Sequence, residues 1–225
     1  MSTIELKAGA HLKGVDLSEF DWTDCDLLDL ELTDCTIRDT QFSGVVLQGA
    51  RFKGCRFIRC RFAHADLREA EFEDCVFTDD EGHVGAQFAF CRLDEGRFRR
   101  CDLSFARFER STLYGIEMEA CNLRGAAFVR ADFGRAFGRK VVKCSAALKG
   151  CNLELADLTQ VRLPDCDLNR SNFREAVLVD ADLEGADLRE CEFFHALTGG
   201  LKLARADLRG AEVSGLNLSE LGSLD

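Results

Sequence analysis

Residues 176–190 read AVLVD, ADLEG and ADLRE, three five-residue units that each place an alanine two positions before a leucine. The same spacing extends outward in both directions. A large apolar residue recurs at every fifth position over residues 12–77, 88–133 and 148–218. Of these 39 central positions, 38 hold a large apolar residue and only Thr198 is polar. The chain is therefore an array of five-residue units rather than a succession of ordinary helices and strands.

A period of five matches neither the 3.6 residues per turn of a helix nor the alternation of a strand, so the chain must turn a corner in every unit. The central residue and the small residue two positions before it, such as Leu183 and Ala181, share one short inward side. If four sides close a coil of twenty residues, coils stacked at about 4.8 Å satisfy the backbone and bury a column of central residues. The array then makes nearly ten coils, a rod of roughly 45 Å.

Cysteine use fits this packing. Eleven of the twelve cysteines occupy the small inward position, and only Cys144 lies elsewhere. A free cysteine packs as a small buried hydrophobe. Cysteines twenty residues apart, such as Cys35, Cys55 and Cys75, would lie one coil apart with parallel side chains, which does not suit a disulfide bond. We therefore expect reduced thiols.

Two interruptions divide the array. Residues 77 and 88 are eleven positions apart, so the register shifts by one and residues 78–87 are expected to leave the wall as an acidic loop. Central residues 133 and 148 are fifteen apart, which preserves phase, but the intervening centres would be Gly138 and Lys143, which do not suit a core. Residues 134–147 are therefore expected to form a second, basic loop.

These boundaries predict one domain over residues 1–225, with coils over 10–77, 88–133 and 148–218 and a short tail over 219–225. Loops that interrupt a regular scaffold commonly carry function, so we assign partner binding to both. The acidic-loop candidates are Asp79, Asp80, Glu81 and His83, and the basic-loop candidates are Arg135, Phe137, Arg139, Lys140 and Lys143.

The charge balance argues against nucleic-acid binding. The net charge is −11 and the pI is near 4.9, whereas binding to nucleic acids needs basic groups that neutralise phosphates. Residues 1–14 lack the apolar segment of a signal peptide, and no apolar run approaches the length that spans a membrane. We expect a cytoplasmic protein with no membrane partner.

The sequence also argues against catalysis. A column filled by leucine and phenylalanine leaves no lumen for a substrate. The four histidines are isolated from one another, and the repeat places Cys191 inward and His195 outward, so the two do not suit zinc. We expect no enzymatic activity, no cofactor and no metal.

The unit Ala-(Asp or Asn)-(Leu or Phe)-x-x resembles the repeat of the pentapeptide repeat family. It stands in this sequence as Ala65-Asp66-Leu67, Ala156-Asp157-Leu158, Ala181-Asp182-Leu183, Ala186-Asp187-Leu188 and Ala206-Asp207-Leu208. The resemblance covers residues 10–218. It implies an all-β fold, a right-handed quadrilateral β-helix of about ten coils with two loop interruptions.

The two interruptions and the segment between them resemble the quinolone-resistance (Qnr) branch of that family. The local match is closest over residues 98–104, 113–118 and 123–128, and Cys144-Ser145-Ala146 closes the second loop in the same way. The resemblance implies a protein that binds bacterial type II topoisomerase, DNA gyrase first and topoisomerase IV second, and protects it from quinolones or related poisons. The alternative is a generic interaction scaffold with an unrelated partner.

The Qnr resemblance also brings the idea of DNA mimicry. Duplex DNA carries about one negative charge per 1.7 Å, whereas −11 over roughly 45 Å is one net charge per about 4 Å, so the mimicry would be partial. Asp167, Asp187 and Asp207 would form an acidic ladder on one face, beside basic residues that can neutralise it. A homodimer through the C-terminal coil is a further expectation, with Leu216, Leu218, Leu221 and Leu224 as the contact.

Overall fold

The computed structural model describes residues 6–138, 141–214 and 216. It is a right-handed quadrilateral β-solenoid, in which short sides pair in parallel with the sides twenty residues before and after them. Leu12 pairs with Leu32, and Leu32 pairs with Phe52. The fold class predicted from the sequence is confirmed.

Four faces run along the rod, and we number them in chain order from the sides centred on Leu12, Leu17, Trp22 and Leu27. Face 1 is a seven-stranded sheet, face 3 contains a four-stranded sheet and face 2 contains a two-stranded one, whereas single bridges connect the sides of face 4. The strands are β1 (His11–Lys13), β2 (Glu31–Thr33), β3 (Thr36–Arg38), β4 (Gln41–Ser43), β5 (Arg51–Lys53), β6 (Arg56–Ile58), β7 (Arg61–Ala63), β8 (Glu71–Glu73), β9 (Gln87–Ala89), β10 (Arg97–Arg99), β11 (Arg107–Glu109), β12 (Ile116–Glu119), β13 (Gly134–Phe137), β14 (Val141–Cys144) and β15 (Ala146–Lys149).

The central residues form the buried column that the repeat predicts. On face 3, Phe42, Phe62 and Phe88 lie in one stack with ring centroids 4.3 and 4.8 Å apart. Phe52 and Phe72 stack in the same way on face 1, at 4.8 Å. Because each phenylalanine of these stacks is at most 2% exposed, the column is a packed core rather than a channel.

Most corners of the rod use the left-handed backbone region. The residue two positions after the centre has a positive φ in unit after unit, and 24 of these residues in the described part of the chain are not glycine. Asp24 at φ 53° shows how the conformation is stabilised, since its backbone N–H donates to the Ser43 carbonyl of the next coil at 2.8 Å. A hydrogen bond at every coil offsets the cost of the unfavourable φ.

Most inward cysteines hydrogen-bond to the preceding coil. Cys55, Cys75 and Cys101 stand in one column of face 2, and the Sγ of each donates at 3.4 Å to the carbonyl of a central residue in the preceding coil. Burial raises the pKa of the thiols of Cys60 and Cys91 to about 12. These thiols are protonated at neutral pH and act as small core donors.

The two interruptions leave the rod from diagonally opposite corners. The first lies between Phe77 on face 2 and Phe88 on face 3, in the fourth coil. The second lies between Phe133 on face 4 and Leu148 on face 1, where the sixth coil passes to the seventh. Within the described residues, no helix has the length and apolar character needed to cross a membrane.

Candidate partner-binding site

The acidic loop is closed by its own first carboxylate. Thr78 and Gly85 form an antiparallel bridge at the base of the loop. Asp79 Oδ1 accepts the backbone N–H groups of His83 at 2.7 Å and Val84 at 3.1 Å. These hydrogen bonds, the one from Val84 foremost, lower the pKa of Asp79. Asp79 therefore shapes the loop rather than presenting a free charge.

Asp80 turns back onto face 2. Its carboxylate accepts hydrogen bonds from Arg38 at 2.9 Å and from Arg56, and the hydrogen bond from Arg38 lowers the pKa of Asp80. Glu81 and His83 point away, with side chains 83% and 77% exposed. Of the four residues assigned to this loop, only these two are free to meet a partner.

Gly85 fixes where the acidic loop rejoins the coil. It is buried, and a β-carbon at this position would lie 2.5 Å from the Phe105 carbonyl oxygen in the next coil. No side chain fits there. The end of the loop is thus seated on the wall, and Val84 beside it remains 45% exposed.

The second interruption is a β-hairpin rather than the loop expected from the sequence. Strands β13 and β14 pair antiparallel, with Gly134 opposite Cys144 and Phe137 opposite Val141. The length of the interruption allows two strands and a turn, and the β-branched pair Val141 and Val142 favours an extended strand. Breaks in the five-residue pattern revealed the interruption but not this internal pairing.

Arg135 holds the hairpin against the rod. Its guanidinium Nη1 lies 3.0 Å from Glu95 Oε1, and its guanidinium carbon lies 4.3 Å from the centroid of the Tyr114 ring. At the base, the Gly115 N–H donates to the Ser145 carbonyl at 2.7 Å. The hairpin therefore packs over the corner between faces 4 and 1, toward the preceding coils.

The hairpin presents exposed apolar side chains. Phe137, Val141 and Val142 are 46%, 48% and 61% exposed. Phe137 makes only peripheral contacts, with its ring centroid 6.0 Å from that of Tyr114 and 5.8 Å from Lys143 Nζ. Exposed apolar groups beside a basic side chain are typical of a protein-binding surface. Arg139 and Lys140, also predicted to bind a partner, lie outside the described residues.

The predicted acidic ladder on face 1 exists, but its charges are paired. Asp167, Asp187 and Asp207 bridge one another in successive coils. Asp167 contacts Lys149 Nζ at 2.8 Å. The other two each accept from the arginine two residues later, at 2.5 Å for Asp187 and 2.6 Å for Asp207. The ladder is a row of ion pairs rather than a row of free negative charge.

The N-terminal half of face 1 alternates in sign along the rod. Arg51 lies between Glu31 at 3.0 Å and Glu71 at 3.7 Å, and Arg97 lies between Glu71 at 2.9 Å and Glu117 at 3.2 Å. Such pairs between coils fix the register of the stack. Face 1 is consequently close to neutral along its whole length.

Of the four leucines expected to form a dimer contact, the structure describes only Leu216, which packs on its own chain. Leu216 is buried against the last described coil at 8% exposure, and Leu218, Leu221 and Leu224 lie outside the described residues. No cluster of three or more potential metal ligands occurs in the part of the chain that the structure describes.

Several residues that shape the site escaped the sequence analysis. Arg38 and Arg56 hold the acidic loop, and Glu95 and Tyr114 hold the hairpin. Each belongs to an ordinary repeat unit, so its five-residue register says nothing about a contact with an insertion. Tyr114 is the single tyrosine of the chain, and this is the one sequence feature that could have drawn attention to it.

Comparisons with known proteins agree with the fold. Family models described as a pentapeptide repeat region and as pentapeptide repeats match residues 50–128, 8–80, 151–189 and 186–220. The structure of full-length QnrB1, a plasmid-mediated fluoroquinolone resistance protein, is 29% identical in sequence, with a TM-score of 0.66 over 88% of this chain and 92% of that one. A trypsin-treated form of QnrB1 is 27% identical, with a TM-score of 0.62 over 90% of each chain.

No match was found among proteins whose function has been curated.

Proposed function

We propose that this chain, which belongs to the pentapeptide repeat proteins, binds bacterial type II topoisomerase and protects it from quinolones or related poisons. DNA gyrase is the first candidate and topoisomerase IV the second. The protein would act by binding rather than by catalysis, in the cytoplasm where these enzymes work.

The observation that carries the proposal is the hairpin. Ion pairs between coils occupy much of face 1, whereas Phe137, Val141 and Val142 of the hairpin are neighbouring apolar side chains that remain exposed. QnrB1, a fluoroquinolone resistance protein, is similar to this chain over 88% of its length. An exposed apolar projection on a stiff rod suits recognition of a large protein partner, because buried apolar anchors dominate binding energy.

Partial DNA mimicry fits one corner better than face 1. The corner between faces 4 and 1 carries Asp29, Glu69, Glu95 and Asp165 against Arg135 and Arg205, with Glu95 paired to Arg135. The hairpin leaves the rod from this same corner. We expect the acidic corner to face the DNA-binding surface of the topoisomerase while the hairpin contacts the protein beside it.

A binding experiment without drug tests the proposal. Purified DNA gyrase is mixed with the protein and examined by sedimentation velocity, first alone and then with a 150-base-pair duplex. We expect a complex that forms without DNA and that excess duplex weakens, since both ligands would share one surface. Absence of a complex with either topoisomerase contradicts the proposal and favours a scaffold with an unrelated partner.

A further inference from the structure

Arginines along most of the rod are paired with a carboxylate of a neighbouring coil. Arg59 contacts Asp39 at 2.6 Å and Arg100 contacts Asp74 at 2.7 Å, both at the corners. Arg97 on face 1 contacts two glutamates. The pattern places opposite charges one coil apart, so an arginine without such a carboxylate is a candidate for binding a partner.

Four arginines outside it gather on face 3 and on the corner between faces 3 and 4. Arg61 and Arg107 lie on face 3, and Arg110 and Arg130 lie on the corner in the fifth and sixth coils. All four are exposed, and none has a carboxylate oxygen within 4.0 Å among the described residues. Glu109 stands in the same region and is likewise unpaired there.

Two of these arginines are neighbours in one column. Arg110 and Arg130 occupy the same corner in adjacent coils, and the Arg110 N–H donates to the carbonyl of Val129, the residue before Arg130, at 2.9 Å. Coils stack at about 4.8 Å, so two arginines of like charge occupy neighbouring positions of one column. Like charges in neighbouring positions are unfavourable, which distinguishes this corner from the ion-paired columns of face 1.

Aromatic groups lie on the same corner in the preceding two coils. Phe90 is 44% exposed, its ring stacks on His64 with centroids 5.2 Å apart, and the Arg110 guanidinium carbon lies 5.5 Å from its centroid. We call Arg61, His64, Phe90, Arg107, Arg110 and Arg130 the arginine surface. A groove of about 320 Å³ joins it to the acidic loop and is lined by Arg61, Val84 and Gly85, among others.

We propose that the arginine surface binds an extended acidic segment of a partner protein. Guanidinium groups form paired hydrogen bonds with carboxylates, and Phe90 offers a place for an apolar side chain of the segment. Arg61 and Arg107 are two coils apart, on the order of 10 Å at the strand spacing. A peptide in the polyproline II conformation rises about 9 Å over three residues and returns every third side chain to the same side, so carboxylates at every third position match the rod.

An acidic peptide suits this surface better than a nucleic acid does. The whole chain carries −11, and a long polyanion would lie against acidic regions as well as the four arginines. A short segment remains within the arginine surface, where salt screens charges beyond about 8 Å. Binding here does not depend on the proposed topoisomerase function, because the surface lies away from the hairpin corner.

The test uses the full chain and three labelled probes in fluorescence anisotropy. The first probe is a 12-residue peptide with glutamate at every third position and serine and glycine elsewhere. The second has lysine in place of glutamate, and the third is a 12-base-pair duplex. We expect saturable binding of the glutamate peptide alone, and the double variant Arg107→Glu, Arg110→Glu to weaken it about tenfold or more.

Arg205→Glu is the matched control. Arg205 is exposed, has no carboxylate oxygen within 4.0 Å among the described residues and, like Arg110, occupies a left-handed corner, but it lies on another corner. We expect its effect to stay below about twofold. If the double variant misfolds, amide shift mapping on the unmodified protein replaces it, with shifts expected at Phe90, Arg107 and Arg110.

Three outcomes would overturn the proposal. One is the absence of saturable peptide binding. Another is equal loss of binding in Arg205→Glu, which would indicate attraction by general charge. The third is tighter binding of the duplex than of the peptide, which would make the surface a phosphate-binding one.

Discussion

The two insertions are each anchored to the rod by a charged residue, but they differ in what they leave exposed. The acidic loop uses Asp79 to cap its own backbone and Asp80 to pair with two arginines of face 2. The hairpin uses Arg135 as an anchor and leaves Phe137 and Val142 exposed. The acidic loop thus uses two of its four candidate residues for its own structure, Asp79 within the loop and Asp80 against the rod, whereas the hairpin leaves its apolar residues exposed.

The place of an insertion in the repeat therefore does not determine which of its side chains a partner can contact. Both insertions interrupt the same repeat, and both looked equally suited to partner binding in the sequence. Exposed ion pairs to neighbouring coils contribute little to stability, but they do fix the direction in which an insertion points. We therefore expect the hairpin to contribute most of the binding and the acidic loop to contribute little, and the following predictions test this ranking.

Removing the hairpin should have the largest effect. Deleting residues 136–145 removes ten positions, so Phe133 and Leu148 become five apart and the coil continues in phase with Arg135 at the corner and Ala146 inward. The concentration that protects gyrase should rise by about tenfold or more because the apolar anchors are lost. Supercoiling in the presence of ciprofloxacin measures it.

A matched deletion of the acidic loop is the control. Removing residues 79–84 also restores a spacing of five between Phe77 and Phe88, with Gly85 at the corner and Ala86 inward. We expect protection within about twofold of the unmodified protein, with unchanged circular dichroism for both deletions. Equal losses would refute the ranking.

A single change on the hairpin should have a smaller effect. Val142→Glu places a charge on the most exposed of the three apolar side chains without touching the core. We expect the concentration needed for protection to rise by about fivefold to tenfold, because a desolvated charge disfavours an apolar contact. Val84→Glu makes the same change on the acidic loop at 45% exposure, and a loss as large as that of Val142→Glu would contradict the prediction.

The contacts of Arg135 should keep the hairpin ordered against the rod. Arg135→Ala removes both the ion pair with Glu95 and the contact with the Tyr114 ring. Trypsin should then cleave the hairpin about threefold to fivefold faster, since a cation–π contact of this kind contributes about 1 kcal/mol. Arg135→Lys keeps the charge and should restore part of the resistance. An unchanged cleavage rate for Arg135→Ala would show that strand pairing alone orders the hairpin.

The Asp80 pair should give the smallest effect, visible only in acid. The arginines lower the pKa of Asp80 below its ordinary value of 3.8, so the folded state favours the charged form. Its contribution is present above pH 3.8 and is lost as the pH falls through the lower, folded pKa. NMR titration of the Asp80 carboxyl carbon should give a pKa below 3.8. A pKa at or above 3.8 would show that the loop does not stay paired with Arg38.

The fold could be predicted from the sequence because the five-residue period constrains every coil. Leu183 and Phe72 are central residues by register, and both are buried. The insertions could be located only as breaks in that register, and their contacts could not be predicted. The hydrogen-bond partners of Asp80 and Arg135 lie 24 to 42 residues away, and no local pattern encodes such a contact. The strand pairing of the hairpin depends likewise on tertiary position.

The most direct test of the account is DNA gyrase supercoiling in the presence of ciprofloxacin, with this protein titrated against fixed enzyme and DNA. We predict that supercoiling returns as the protein is added and that very high concentrations inhibit it, because a partial DNA mimic also competes with DNA. Neither protection nor inhibition over a wide range of concentrations would contradict the account and leave the protein as a scaffold for another partner.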